Sequence, residues 1–333
     1  MILQDYDLSN LNTFSIKAKS KYFAVFKSES ELKKLVKSCI KPFLTLGGGS
    51  NILLTKNFDG TVLKNEIDQI SIIKDKEESV IVKVGAGVPW HDFVLWAIEQ
   101  NYGGVENMSL IPGSTGAAPM QNIGAYGVEL ESVFYSLEAV NIDTAETKTF
   151  HKKECDFGYR YSVFKGPLKG KYIITYVSFE LQKKHTYNTS YGALEEKLKR
   201  NNTSLSIRSI SNAIIEIRQA KLPDPKIIGN GGSFFKNPVI DNSHFEKLKS
   251  KYPDIVGYPV SNSQTKVAAG WLIDRAGWKG HREGDAGVHK NQALVLVNFQ
   301  NAKGKEILIL SQKIQKSIKE KYDIDLEREV NVL

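Results

Sequence analysis

Phe43-Leu44-Thr45-Leu46 reads as a short buried strand that runs without a spacer into Gly47-Gly48-Gly49-Ser50-Asn51. Residues without a Cβ let successive backbone N–H groups converge on an anion, and Ser50 or Asn51 can add side-chain donors. Read alone, the pentapeptide serves equally well as a tight turn, and it lacks the Gly-Lys-Ser/Thr ending of a P-loop. Upstream, residues 21–25 read as a strand. Ser28-Glu29-Ser30-Glu31 has capping-box spacing, and Leu32, Leu35 and Val36 then recur at helical period. The glycine loop thus closes a β-α-β run.

A second run begins near Ile70. Residues 79–84 read as a strand, followed by Gly85-Ala86-Gly87, then Pro89 as a first helical position, with Trp90, Phe93, Val94 and Ala97 as the buried face. The two glycines open like a dinucleotide fingerprint, but Trp90 takes the third glycine's place and blocks close helix–strand packing. Residues 109–129 follow neither period. They hold Ile111-Pro112-Gly113-Ser114-Thr115-Gly116 and Gln121-Asn122-Ile123-Gly124-Ala125-Tyr126-Gly127, with few charges, which predicts an ordered functional loop. Small residues and amides over such a length suit a backbone pressed against an extended pyrophosphate ligand. Together with 47–51 they predict dinucleotide binding on a non-Rossmann fold.

Strands are expected at 137–141 and 172–181. From about Ile207 a helix through Ile214 and Ile217 leads to Lys221-Leu222-Pro223-Asp224-Pro225, where two prolines end it. A strand at 293–298 and a helix on Ile307, Leu310, Ile314 and Ile318 follow. The terminal strand, 324–332, sets Ile324, Leu326, Val330 and Val332 on one face and Asp325, Glu327 and Glu329 on the other. Boundaries fall near 65–70 and 205–220.

With 333 residues, at about 150 per domain, two or three domains are expected. No apolar run approaches the ~20 residues of a membrane helix. The first ten residues lack a signal peptide's positive start and apolar stretch. Cys39 and Cys155 cannot make a disulfide framework, so a reduced, cytoplasmic setting is expected. The six histidines show no zinc-ligand spacing, and no metal is expected. Lys plus Arg is 45 against 37 for Asp plus Glu, a net charge of +8 that fits nucleic acid, an anionic membrane or an anionic substrate.

Three further segments carry candidate chemistry. In Phe157-Gly158-Tyr159-Arg160-Tyr161, a guanidinium among aromatics is partly desolvated and grips a carboxylate strongly, although a structural arginine stacked on tyrosine is an equal reading. In Gly229-Asn230-Gly231-Gly232-Ser233-Phe234-Phe235, Phe235 rules out a nucleophile elbow; the serine is either a donor in a cavity or part of a plain turn. Glu329 lies on a charged strand face that could simply be solvated.

These motifs, in this order, resemble the UDP-N-acetylenolpyruvoylglucosamine reductases (UDP-N-acetylmuramate dehydrogenases) nearly end to end. Asn12-Thr13-Phe14, Tyr159-Arg160-Tyr161-Ser162-Val163-Phe164-Lys165, Ala268-Ala269-Gly270-Trp271, His289-Lys290-Asn291-Gln292-Ala293-Leu294 and Leu326-Glu327-Arg328-Glu329-Val330 extend the match. The resemblance implies an α+β chain. A vanillyl-alcohol-oxidase/PCMH-type FAD-binding domain of two subdomains (1–68 and 69–206) precedes an α+β substrate-binding domain (207–333). Tyr191, in Thr189-Ser190-Tyr191-Gly192, looks like the tyrosine loop of the family's longer branch.

The implied activity is NADPH-dependent reduction, through FAD, of UDP-N-acetylglucosamine enolpyruvate to UDP-N-acetylmuramate for peptidoglycan, with no nucleic acid, no membrane insertion and a monomeric state. By matching motif, Arg160, Ser233 and Glu329 fall on the catalytic arginine, proton donor and glutamate. Gly47, Gly48, Gly49, Ser50, Asn51, Ile111, Pro112, Gly113, Ser114, Gly116, Ala117, Gln121, Asn122, Gly124 and Ala125 fall on cofactor contacts. Tyr191, Lys221, Asn237 and Gln292 fall on UDP-sugar contacts. Arg328 departs from the family pattern, where proline is common. A related FAD-dependent oxidase acting on another small substrate is the alternative.

Overall fold

Alternating burial along Lys19–Phe26 places Ala24 and Phe26 under helix Glu29–Ser38, whose Leu32 and Val36 close the layer. That helix starts as its sequence dictates: the Ser28 hydroxyl accepts the Glu31 N–H at 3.2 Å. The computed structural model describes residues 1–333. It divides into two compact units, one of Met1–Tyr6, Ser20–Gly48 and Asp59–Ala220, the other of Asp7–Lys19, Gly49–Phe58 and Lys221–Leu333.

The first unit holds two sheets. In the four-stranded one the order is Leu3–Asp7, Lys19–Phe26, Phe58–Asn65, Phe43–Leu46, and the last pair is parallel with Leu46 opposite Lys64. The glycine loop therefore leaves a strand end beside a lysine. The five-stranded sheet runs Thr147–His151, Phe134–Asn141, Tyr172–Gln182, Ser79–Gly85, Ile70–Asp75, antiparallel throughout. Its middle strand is buried on both faces, and helix Trp90–Glu99 packs Phe93 on Phe179 with ring centroids 4.8 Å apart. Pro89 is the residue before this helix rather than its first position: its backbone is extended, and its carbonyl accepts the Phe93 N–H. Residues 109–129 are ordered as short 3-10 turns and two-residue strands.

In the second unit, Gly229–Ser233, Val295–Asn298, Ala286–Val288 and Arg282–Glu283 make one sheet, with Val239–Asp241, Gln264–Val267 and Gly257–Pro259 as another. Helix Gly304–Tyr322 buries Ile307, Leu310, Ile314 and Ile318 completely, as its stripe predicts. The expected strand at 324–332 is only partly a ladder. Inward and outward faces alternate as expected, but regular pairing is confined to Asn331–Val332 and a single bridge between Arg328 and Phe235. Two donors are missing for anything longer: Pro238 has no N–H, and the Phe234 N–H is given to Leu294 O.

Helix Trp90–Glu99 also anchors the irregular loop. His91 Nδ1 accepts the Leu110 N–H at 3.0 Å, where Leu110 holds a left-handed φ of +59°. Burial pushes the His91 imidazole below its ordinary 6.5, so the unfolded chain binds its proton first and stability falls as pH drops through that value. His91→Gln keeps an acceptor and removes the titration. The fall in Tm between about pH 7.5 and about pH 5.5 is expected to shrink in this variant, as measured by calorimetry.

Candidate active site

In the first unit the two glycine-rich loops pack closely, Gly48 against the Gly113 backbone and Gly47 against the Ser114 side chain. A Cβ on Gly47 would lie 2.1 Å from Ser114 Oγ, and one on Gly48 would lie 3.2 Å from Gly113 Cα. The second loop is pinned in turn to the Gly85–Trp90 turn: Trp90 N donates to Gly113 O at 2.9 Å, Thr115 N to Val88 O at 2.8 Å and Gly116 N to Ala86 O at 2.9 Å. Gly48, Pro112 and Ala117 stay exposed, so this paired backbone remains open to a ligand. Lys64 donates to Gly47 O at 2.6 Å, and burial lowers its ammonium pKa. A cation next to paired glycine backbones fits a pyrophosphate.

Further along, Asn122 is fully buried and spends its side chain on the chain itself, accepting from Glu131 N at 3.0 Å and donating to Glu129 Oε2 at 3.1 Å and Gly158 O at 3.2 Å. That stitches the cofactor loop to the arginine segment. Arg160 has a left-handed φ of +53°, donates through Nη2 to Gly124 O at 2.7 Å and lies over the Tyr159 ring. A non-glycine residue there is strained by about 1 kcal/mol or more, and such strain gathers where orientation matters. Ser162 Oγ donates to Met120 O at 2.8 Å and Lys165 Nζ to Gln121 Oε1 at 3.4 Å, completing the seam.

Tyr191, 43% exposed, meets Tyr126 edge-on at 5.1 Å. Buried Asn107 ties the two segments, donating at 2.9 Å to both Tyr126 O and Asn188 O. The Tyr126 hydroxyl bonds Arg218, whose guanidinium is pushed down by burial and whose Nε has no partner.

The second unit assembles its own group. Gly49, at φ +64°, leaves no room for a side chain, since a Cβ would sit 2.0 Å from Leu11 O. A Cβ on Gly231 would lie 2.7 Å from the Phe14 ring and 3.2 Å from Ser50 O. Gly232 turns through φ +70° and presents Ser233 at the end of the strand, opposite Val295. Glu329 N donates to Phe234 O at 2.8 Å and Asn51 Nδ2 to Glu329 O at 3.3 Å, so Asn51, Ser233 and Glu329 share one patch. Gln292 adjoins it, its carbonyl and amide oxygens accepting from Val295 N and Leu294 N. Asn237 Oδ1 accepts the Ala269 N–H at 2.9 Å, which occupies its acceptor. Lys221 is exposed at a helix end, and no contact joins it to the patch.

Residues 224–333 match the family model described as UDP-N-acetylenolpyruvoylglucosamine reductase, C-terminal domain. The enzyme of that name from Flavobacterium johnsoniae is 52% identical over all of this chain and 99% of its own length. The chain belongs to the UDP-N-acetylenolpyruvoylglucosamine reductase family. A Pseudomonas putida member is 45% identical over 99% of the chain and 98% of its own length. Residues 20–150 match the FAD binding domain model.

In structure, the chain is similar to the family's Thermus caldophilus enzyme, with a TM-score of 0.70 at 22% identity over 100% of this chain and 98% of that one. It is also similar to 6-hydroxy-D-nicotine oxidase from Arthrobacter nicotinovorans, with a TM-score of 0.50 at 13% identity over 96% and 85%. These findings carry the expected fold: an FAD-binding domain with the reductase family's C-terminal domain. FAD is the cofactor of this family member, and the Gly47–Ser114 cradle fits it.

Asn107, Tyr126, Lys64 and Arg218 were not singled out by sequence. Arg218 left a signal, standing four residues after Ile214 on the buried stripe of helix Ile207–Lys221, where a charge calls for a reason. Gly47→Ala is expected to cut the flavin carried by purified protein, read as the ratio of visible to 280 nm absorbance. Adding Ser114→Gly removes the clash and is expected to recover part of it, a non-additivity that marks the contact itself.

Proposed function

We propose that this member of the reductase family takes hydride from NADPH and reduces the enolpyruvyl double bond of UDP-N-acetylglucosamine enolpyruvate, with Arg160, Ser233 and Glu329 as its catalytic side chains. The carrying observation is the bond from Glu329 N to Phe234 O, which joins the segment bearing Glu329 to the residue next to Ser233. FAD, when bound in the 47–51 and 111–125 loops, supplies the hydride that adds to the terminal enolpyruvyl carbon.

As that carbon gains hydrogen, negative charge develops on the substrate carboxylate. Arg160, already oriented by its bond to Gly124 O, supplies a fixed cation for it. Preorganised donors of this kind are worth about 3–4 kcal/mol each. Glu329 in its protonated form donates a further hydrogen bond, and the Ser233 hydroxyl delivers the proton to the adjacent carbon. Serine is a weak acid, so the role requires it to be held close to that carbon; Gly232 and the Val295 pairing give it a defined place at the strand end. Tyr191, Lys221, Asn237 and Gln292 hold the UDP-sugar in this reading. Residues 1–68 and 69–206 serve the flavin and 207–333 the substrate. In this reading the enzyme acts in the cytoplasm as a monomer.

Ser233→Ala is expected to leave reduction of bound flavin by NADPH unchanged and to slow its reoxidation by the enolpyruvyl sugar by about 10²–10⁴-fold, measured by stopped-flow absorbance. Equal loss in both half-reactions would remove Ser233 from the donor role. The oxidase alternative predicts substrate-dependent peroxide; the reductase predicts NADPH consumption that requires the enolpyruvyl sugar.

A further inference from the structure

Arg328 lies on the inward face of the terminal segment, between buried Leu326 and buried Val330. A guanidinium among aliphatic side chains is unfavourable unless its N–H groups are matched. Here Nη2 donates to Gln315 Oε1 at 3.0 Å, while Nε is buried without a partner. Gln315 stands on helix Gly304–Tyr322, and its Nε2 donates to Leu326 O at 2.7 Å. One amide thus grips the segment at two places, a carbonyl and a side chain two residues apart. Its orientation is fixed by chemistry, because a flipped amide would set oxygen against Leu326 O and N–H against the guanidinium.

From the other side the same segment is held by Lys236 N donating to Glu327 O at 2.9 Å and Glu329 N donating to Phe234 O at 2.8 Å. These bonds flank Arg328 and end there, since Pro238 has no N–H to extend them. Past Arg328, Asn51 Nδ2 holds the Glu329 carbonyl at 3.3 Å, so the helix side supplies the remaining grip, on residues 326–328, that sets the register and tilt of Glu329.

We propose that Gln315 and Arg328 form a clamp that positions Glu329 for the substrate half-reaction. They are positioning residues: neither is among the groups placed against substrate or flavin. The inference rests on the reading of Glu329 as a catalytic carboxyl.

The test compares Gln315→Ala, Arg328→Met, the double variant and Glu329→Gln as flavin-loaded enzymes. NADPH-driven flavin reduction and substrate-driven reoxidation are each followed by stopped flow. Gln315→Ala and Arg328→Met are each expected to slow reoxidation about 10-fold to 100-fold, through kcat rather than KM, with reduction and flavin content unchanged. The double variant is expected to be no slower than the singles, because the clamp is already broken by either. Gln315→Glu keeps the acceptor for Arg328, loses the donor to Leu326 O and is expected to fall between wild type and Gln315→Ala. It serves where Arg328→Met fails to fold.

If Glu329→Gln slows reoxidation while the clamp variants do not, the clamp is overturned and the role of Glu329 stands. If Glu329→Gln leaves reoxidation unchanged, that role fails and the clamp with it. Parallel losses of both half-reactions and of flavin would reduce the pair to general stability and also overturn the proposal.

Discussion

Both units depend on backbone meeting backbone with no Cβ between. In the first, Gly48 lies on the Gly113 backbone and Gly116 on Ala86, while Gly47 meets the Ser114 side chain. In the second, Gly49 lies on Leu11 and Gly304 on Leu54. A methyl group at Gly49 or Gly304 would fall about 2 Å from a carbonyl oxygen, which no relaxation of a flexible side chain could relieve. What these loops place, from the cofactor cradle to the Ser233 strand end, inherits its position from these close approaches. Gly49 and Gly232 add the left-handed φ that glycine takes without penalty.

Much of this was legible in the sequence, because consecutive glycines after a strand have few structural uses. The strands at 43–46 and 79–84, the helix starting at Glu29, the buried face Trp90, Phe93, Val94 and Ala97 and the stripe Ile307, Leu310, Ile314 and Ile318 followed from residue pattern and capping, although the second helix begins one residue after Pro89. The ordered, irregular character of 109–129 followed from small residues with few charges. The family resemblance then supplied roles that period and composition could not, and the comparisons carry the family itself.

What stayed hidden was pairing that depends on partners distant in sequence. The terminal segment has a strand's alternation, yet its ladder stops where Pro238 lacks a donor and where Phe234 gives its N–H to Leu294. Alternation predicts which face is buried; it does not say whether the neighbouring segment has hydrogens left to offer. Arg328 was visible as an unusual residue, but its meaning depends on Gln315, which reads in isolation as an ordinary polar position on a helix. Nor does composition change where residues 7–19 and 49–58 join the second unit.

The positive surplus, read first as a possible sign of nucleic acid, acquires a local use only at a few places, such as Lys64 beside Gly47 and Arg160 beside Gly124. Most of the precision in the site comes instead from neutral amides. Asn12, Asn107 and Asn122 are buried, and each bonds two or more backbone groups of irregular loops. Irregular backbone cannot satisfy itself as a helix or sheet does, and each unmatched buried group costs about 1–3 kcal/mol. An amide answers both a donor and an acceptor without bringing in a charge. A flavoenzyme that must hold anionic ligands therefore has reason to build its loops with asparagine and to reserve its cations for the places where charge appears.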